Sequence, residues 1–153
     1  MTDLLVHATC VAIGGRGVLL LGTPGSGKSS LALRLIDAPG RATGEDMMDA
    51  VLVSDDQTQI VKDGTRLVAS PPPSLAGLLE VRGLGIVKCR HIPSCELALA
   101  IRLSPVEVIE RMPDPRFGTY AVAGGALPLT AMDPSSPAAP ARIRAALLAL
   151  TAA

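Results

Sequence analysis

A chain of 153 residues, 48% of them hydrophobic, is long enough to bury one core and too short for two. Fourteen Lys and Arg balance fourteen Asp and Glu, so there is no electrostatic footprint for nucleic acid or an anionic lipid surface, and any anion must be gripped locally. With one Phe, one Tyr and no Trp, the core must come from Leu, Val, Ile and Ala, and stacked bases would find no aromatic platform.

Leu4 to Ile13 is rich in β-formers, Gly14-Gly15-Arg16-Gly17 breaks the run, and Val18 to Leu21 resumes it, which predicts a hairpin. Placing the turn over Gly14 to Gly17 sets Ile13 opposite Val18 and His7 opposite Pro24. A glycine-rich loop, Gly22 to Lys28, leads into Ser29 to Asp37, where Leu31, Ala32 and Leu35 recur at helical spacing. After the polar stretch Gly40 to Asp49, Val51 to Val53 reads as a buried strand ending in Ser54-Asp55-Asp56. Gln59 to Val61 and Arg66 to Ala69 flank Asp63-Gly64 as a hairpin. Ser74 is placed to cap a short helix through Leu79, and Glu80 to Val87 carries two glycines that imply a bend or a close backbone approach. Leu97 to Leu103 reads as a strand, Met112 to Gly125 as irregular, Leu127 to Leu129 as an edge strand, and Pro140 to Leu150 as a terminal helix after the linker Asp133 to Pro137.

There is no internal repeat, and a single domain over 1–153 is expected. Cys10, Cys89 and Cys95 form no ligand pattern and suggest buried, reduced thiols. Met1-Thr2-Asp3-Leu4 lacks a basic leader and no apolar stretch is long enough to span a bilayer, so a soluble, cytoplasmic protein with no membrane partner is expected.

Gly22-Thr23-Pro24-Gly25-Ser26-Gly27-Lys28-Ser29 fits G-x-x-x-x-G-K-[ST] at every fixed position, between a strand and a helix as the motif requires. Glycines let backbone N–H groups turn toward phosphate oxygens, the helix N-terminus adds partial positive charge, Lys28 reaches the outer phosphates and Ser29 is placed to ligate Mg²⁺. A loop of this kind says only that a phosphorylated ligand binds. Asp55 and Asp56, at the end of the next strand, are candidates for the chemistry: one carboxylate to hold the metal, the other to take a proton from an attacking hydroxyl. A solvated turn after a strand would also accommodate adjacent aspartates. His7 can orient an aspartate, hold phosphate or tune a base, or it is a strand histidine with a satisfied backbone bond.

These residues resemble the catalytic domain of the HPr kinase/phosphorylase family, which phosphorylates a serine of the phosphocarrier HPr. His7 followed by Gly17-Val18-Leu19-Leu20 and the loop, Val53-Ser54-Asp55-Asp56, and Leu79-Glu80-Val81-Arg82-Gly83-Leu84-Gly85-Ile86 are similar to the family's motifs, in order. The resemblance implies an α/β P-loop domain with a mixed sheet flanked by helices and a phosphoenolpyruvate-carboxykinase-like core. It implies ATP and Mg²⁺ as cofactors and an HPr-like carrier as protein partner. Gly22 to Ser30 would bind the nucleotide, with Lys28 also catalytic. Asp55 would be the base toward the HPr serine and the acid in phosphorolysis, with His7 nearby. Ser29, Asp56 and Glu80 would stand on the metal side, and Arg82 would hold phosphate or the Glu80 loop. It also implies a homo-oligomer and docking of the carrier beside Gly83 to Ile86.

Ser30 departs from the Glu that many members carry after Lys-Ser, and Asp133-Pro134-Ser135-Ser136-Pro137 stands where longer members carry a basic segment. The family's N-terminal domain is not expected here, and the kinase direction is expected over phosphorolysis. The alternative is a nucleotide-binding regulatory module without turnover. A small-molecule kinase is disfavoured, since no Arg-rich lid or aromatic base pocket is evident.

Overall fold

Ala8–Ile13 and Arg16–Leu21 are apolar at nearly every position because both faces of the strands they form are covered. The computed structural model describes residues 3–151, so the leader reading, which rests partly on Met1 and Thr2, lies partly outside it. The strands are β1 (Asp3–Val6), β2 (Ala8–Ile13), β3 (Arg16–Leu21), β4 (Ala50–Ser54), β5 (Thr58–Asp63), β6 (Arg66–Ser70), β7 (Leu78–Val81), β8 (Gly85–Lys88), β9 (Cys95–Leu103), β10 (Gly118–Val122) and β11 (Gly125–Met132). The helices are α1 (Lys28–Asp37) and α2 (Ala139–Thr151).

Nine strands form one sheet in the order β1-β5-β6-β9-β3-β2-β4, with β11 beside β9 and β10 beside β11, while β7 and β8 make a separate hairpin. β3 and β11 run parallel to β9, and the other pairings are antiparallel, so the sheet is mixed as expected. Side-chain alternation sorts β2 and β3 between two cores. Val11, Ile13, Val18 and Leu20 pack with Leu31, Leu35, Ile143 and Leu147 of the helices. Cys10, Ala12, Leu19 and Leu21 face Val53, Ile60, Leu67 and Leu127, contributed by strands that curl over the other side. The expected flanking by helices is therefore one-sided: both helices cover one face, and the sheet closes on itself over the other. No helix among the described residues is long and apolar enough to cross a membrane.

The hairpin register differs from expectation. Gly14 and Gly15 both have positive φ, 57° and 82°, and form the whole turn, so Ile13 opposes Arg16 and Val11 opposes Val18. The apolar run from Leu4 also breaks at His7. Val6 pairs with Thr58 but Ala8 pairs with Leu21, and Thr58 Oγ1 donates to the Ala8 carbonyl at 2.8 Å across the break.

Three further differences have local causes. A 3-10 turn at Pro73–Leu75 replaces the short helix, and the chain then extends into β7. Part of the stretch read as irregular forms β10. The segment read as an edge is β11, paired on both sides.

Gly17 must be glycine because a Cβ there would come within 2.6 Å of Cys95 Sγ and 2.7 Å of the Glu96 carbonyl oxygen. The Cys10 thiol holds its proton toward the Cys95 sulfur, which raises the Cys10 pKa and lowers that of Cys95. Cys10 is buried, Cys89 and Cys95 only partly, and all three are free.

Arg144 ties the helices together. Only 2% exposed, it donates to the carbonyls of Leu35 (3.2 Å) and Ala38 (3.1 Å) at the end of α1 and of Met48 (3.0 Å), where a cation also meets the negative end of the helix dipole. Burial lowers the guanidinium pKa, and the Asp49 carboxylate opposes that shift.

Candidate functional site

β3 delivers the chain at Leu21 to the glycine-rich loop, and α1 begins at Lys28. Gly25 and Gly27 sit at φ 82° and 101°, conformations that turn successive N–H groups inward. Among the described residues these two amides have no partner, whereas the Ser26 N–H closes on the Thr23 carbonyl at 3.0 Å. Lys28 is 6% exposed, and its Nζ bridges the carbonyls of Gly22 and Thr23 at 2.9 and 3.1 Å. Arg34 steadies the loop from below by donating to the carbonyls of Pro134 and Ser136, both at 2.8 Å, which holds the β11–α2 linker against Gly27.

β4 ends beside this loop because it pairs with β2 through a bulge. Cys10 faces Ser54 while Val11 faces Leu52, so the extra residue re-aims the strand tip. Asp55, 7% exposed, then receives three donors: Ser29 Oγ at 2.7 Å and Thr9 Oγ1 at 2.9 Å on Oδ1, and the Glu80 backbone N–H at 2.9 Å on Oδ2. Loop, strand β2 and the β7–β8 hairpin thus converge on one carboxylate.

Asp56 differs in every respect. Its φ is 65°, the Gln57 N–H donates to the Asp55 carbonyl at 2.7 Å, and Asp56 is therefore the centre of a positive-φ γ-turn, a rare and strained conformation for a residue with a side chain. Ser54 Oγ closes the same turn on the Gln57 carbonyl. The Asp56 side chain is exposed and opens into a cleft of about 270 Å³ between the loop and the hairpin.

Pro24, Gly25 and Gly27 line this cleft on the loop side, with Lys28, Ser29 and Ser30 at its base. Glu80 and Arg82 line it on the hairpin side. Asp55 stands directly behind Ser29. Gly22, Thr23 and Ser26 belong to the loop without lining the cleft. His7 occupies the exposed bend between β1 and β2 and has neither a lining position nor a hydrogen bond among the described residues. Thr9 was not singled out from the sequence, although a hydroxyl inside an apolar strand is itself a signal, because a buried hydroxyl needs a partner.

The donor set suits a hard divalent cation. Ser29 Oγ and the Asp55 carboxylate lie 2.7 Å apart, and Asp56 and Glu80 add oxygens nearby. No group of three His, Cys, Asp or Glu side chains clusters for metal among the described residues, so a cation here would draw its other ligands from phosphate and water, as Mg²⁺ does.

The family model described as HPr Serine kinase C-terminal domain matches residues 2–96. HPr kinase/phosphorylase of Lacticaseibacillus casei is 42% identical over 87 residues, which is 57% of this chain and 24% of that protein. The protein of the same name from Mycoplasmopsis pulmonis is 31% identical over 109 residues, 67% of this chain and 32% of that one. This chain thus spans about a third or less of the curated relatives it matches. The solved structure of the Hpr(Ser) kinase/phosphatase from Coxiella burnetii superposes with a TM-score of 0.76 at 26% identity, covering 95% of this chain and 94% of that chain.

Proposed function

This chain belongs to the family of the HPr serine kinase C-terminal domain, and from that premise we propose that it transfers the terminal phosphoryl group of ATP to a serine hydroxyl of an HPr-like phosphocarrier protein. The observation that carries the reading is the convergence on Asp55: the loop's Ser29 and the hairpin's Glu80 amide bind opposite oxygens of one carboxylate, with Asp56 beside it in the cleft.

The geometry favours a division of roles the reverse of the one the resemblance implies. Asp55 is enclosed and hydrogen-bonded to the loop serine, the arrangement that holds Mg²⁺ in P-loop enzymes. Asp56 faces the cleft and is the group an incoming hydroxyl can reach. Ser29 and Asp55 would hold Mg²⁺, which when bound neutralises charge on the β- and γ-phosphates.

The Gly25 and Gly27 amides take phosphate oxygens, and Lys28 leaves the loop carbonyls for the outer phosphates. Asp56 takes the serine proton as the serine oxygen bonds to the γ-phosphorus and the bond to the β-phosphate oxygen breaks, releasing ADP. With inorganic phosphate attacking the phosphoserine phosphorus, the P–O bond to serine breaks, pyrophosphate forms, and the same carboxylate returns the proton to the serine oxygen. Arg82 lies on the acceptor side of the cleft and is placed to hold the transferring group.

The same reading assigns the loop and curled sheet to the phosphoenolpyruvate-carboxykinase type of P-loop core, the protein to the cytoplasm with its carrier, and the active form to an oligomer. The test is incubation with ATP, Mg²⁺ and a purified HPr-like carrier, followed by mass spectrometry of the carrier. Phosphoserine is expected; an unmodified carrier despite demonstrable ATP binding would sink the reading.

A further inference from the structure

Thr9 is fully buried in β2, a strand whose other residues are Ala8, Cys10, Val11, Ala12 and Ile13. A buried hydroxyl left unpaired costs about 1–3 kcal/mol, and Thr9 finds both of its partners at the tip of β4. Its single hydrogen goes to Asp55 Oδ1 at 2.9 Å, and its oxygen accepts the Asp56 backbone N–H at 3.1 Å. One hydroxyl therefore fixes the side chain of the first aspartate and the main chain of the second.

Asp56 depends on such a tie. A non-glycine residue at φ 65° sits in a sparsely populated region that persists only where its surroundings over-determine it. The turn has two other closures, Gln57 N–H to the Asp55 carbonyl and Ser54 Oγ to the Gln57 carbonyl, and neither engages the Asp56 N–H. Without Thr9 Oγ1 the peptide between the two aspartates is held only through its Asp55 carbonyl, and its N–H loses its partner. The Asp56 carboxylate would then lose its fixed direction into the cleft, and Asp55 would lose one of its three donors.

We infer that Thr9 is a positioning residue for phosphoryl transfer. It touches neither nucleotide nor acceptor, and it acts by holding the Asp55-Asp56 peptide in the one orientation that sends Asp55 toward Ser29 and Asp56 toward the acceptor. The inference rests on the base role proposed for Asp56.

Thr9→Val keeps the branched shape without the hydroxyl, and Thr9→Ser keeps the hydroxyl. The Val variant is expected to lose about 10- to 100-fold in kcat, the range typical of groups that orient a reacting side chain, with a much smaller change in KM for ATP, since Asp55 keeps its Ser29 and Glu80 donors. The Ser variant is expected to recover most of that loss. Rates are normalised to the fraction of protein that binds a fluorescent nucleotide, which removes any loss from misfolding. Wild-type kcat in Thr9→Val, or a Ser variant as impaired as Val, would overturn the inference.

Amide hydrogen exchange of the wild-type protein, followed by NMR, decides the contact even where the Val variant does not fold. A protected Asp56 amide supports it, and one exchanging as fast as a free loop amide overturns it. A wild-type protein that phosphorylates no carrier would instead count against the proposed function, and an active Asp56→Asn variant would count against the base role. The amide measurement is independent of both.

Discussion

Two adjacent aspartates with the same chemistry become different groups because their neighbours differ. Asp55 has three donors and 7% exposure, while Asp56 has an open side chain on a strained backbone. Asp56→Asn is expected to lower kcat by about 10²- to 10⁴-fold, the contribution of a positioned base, while nucleotide affinity measured by calorimetry stays at the wild-type value. Asp55→Asn should act on binding. A carboxamide offers one acceptor oxygen where three donors converge, so Mg²⁺-dependent nucleotide affinity should fall, and affinity measured without Mg²⁺ should change much less. Equal losses of Mg²⁺-dependent affinity in both variants would contradict the division. The pair itself was legible in the sequence as a strand tip following the phosphate loop. The division proposed here was not, because it rests on one backbone angle and on donors from Thr9, Ser29 and Glu80, far apart in the chain. His7 was legible as a candidate, but its position followed a hairpin register that the two-residue Gly14-Gly15 turn shifts.

At the level of elements, the site depends on how closely β3 and β9 approach and on how α1 is anchored. Gly17→Ala would drive a methyl group into the Glu96 carbonyl of β9, an atom that cannot rotate away. A loss of about 1–3 kcal/mol, the usual cost of overpacking, is expected in urea unfolding, whereas an alanine as stable as wild type would show that the strands have room. Arg144→Met removes the donor shared by Leu35, Ala38 and Met48 and takes a hydrogen bond from the buried Leu35 carbonyl, at about 1–3 kcal/mol for a buried group left without a partner. The Met48 carbonyl keeps the Gly40 N–H, and the Ala38 carbonyl sits at an exposed residue. Because α1 carries Lys28 and Ser29 at its other end, ATP affinity should fall together with the midpoint of unfolding.

Hairpins with a glycine pair or Asp-Gly were legible from turn chemistry alone. Leu127 to Leu129 reads as a short edge strand, yet β11 is longer and is paired on both sides. In the structure Pro128 pairs only with Thr119 of β10, and the ladder with β9 begins one residue later, at Leu129 opposite Ala100. The proline marks where one partner starts, which only the three-dimensional pairing reveals.

For the molecule as a whole, zero net charge and two aromatic side chains in 153 residues would leave a bound nucleotide held by its phosphates. ATP should then bind no more than about tenfold, or 1.4 kcal/mol, more tightly than inorganic triphosphate, and competition calorimetry would expose a much larger preference as a base pocket. The protein acceptor proposed above would need a surface of its own, and the β7–β8 hairpin offers one. Its loop and second strand carry Leu84 at 78% and Ile86 at 64% exposure, beside Glu80 and Arg82 in the cleft wall. The Glu80 amide of that hairpin also grips Asp55, so a carrier seated on the apolar tip bears on the element that holds the site. Leu84→Glu should therefore raise KM for the carrier by tenfold or more, about 1.4 kcal/mol or more of lost contact, while leaving ATP affinity and the unfolding midpoint in place. An unchanged carrier KM would move the docking surface away from this hairpin, and a fall in ATP affinity would mean that the tip supports the nucleotide site rather than the acceptor.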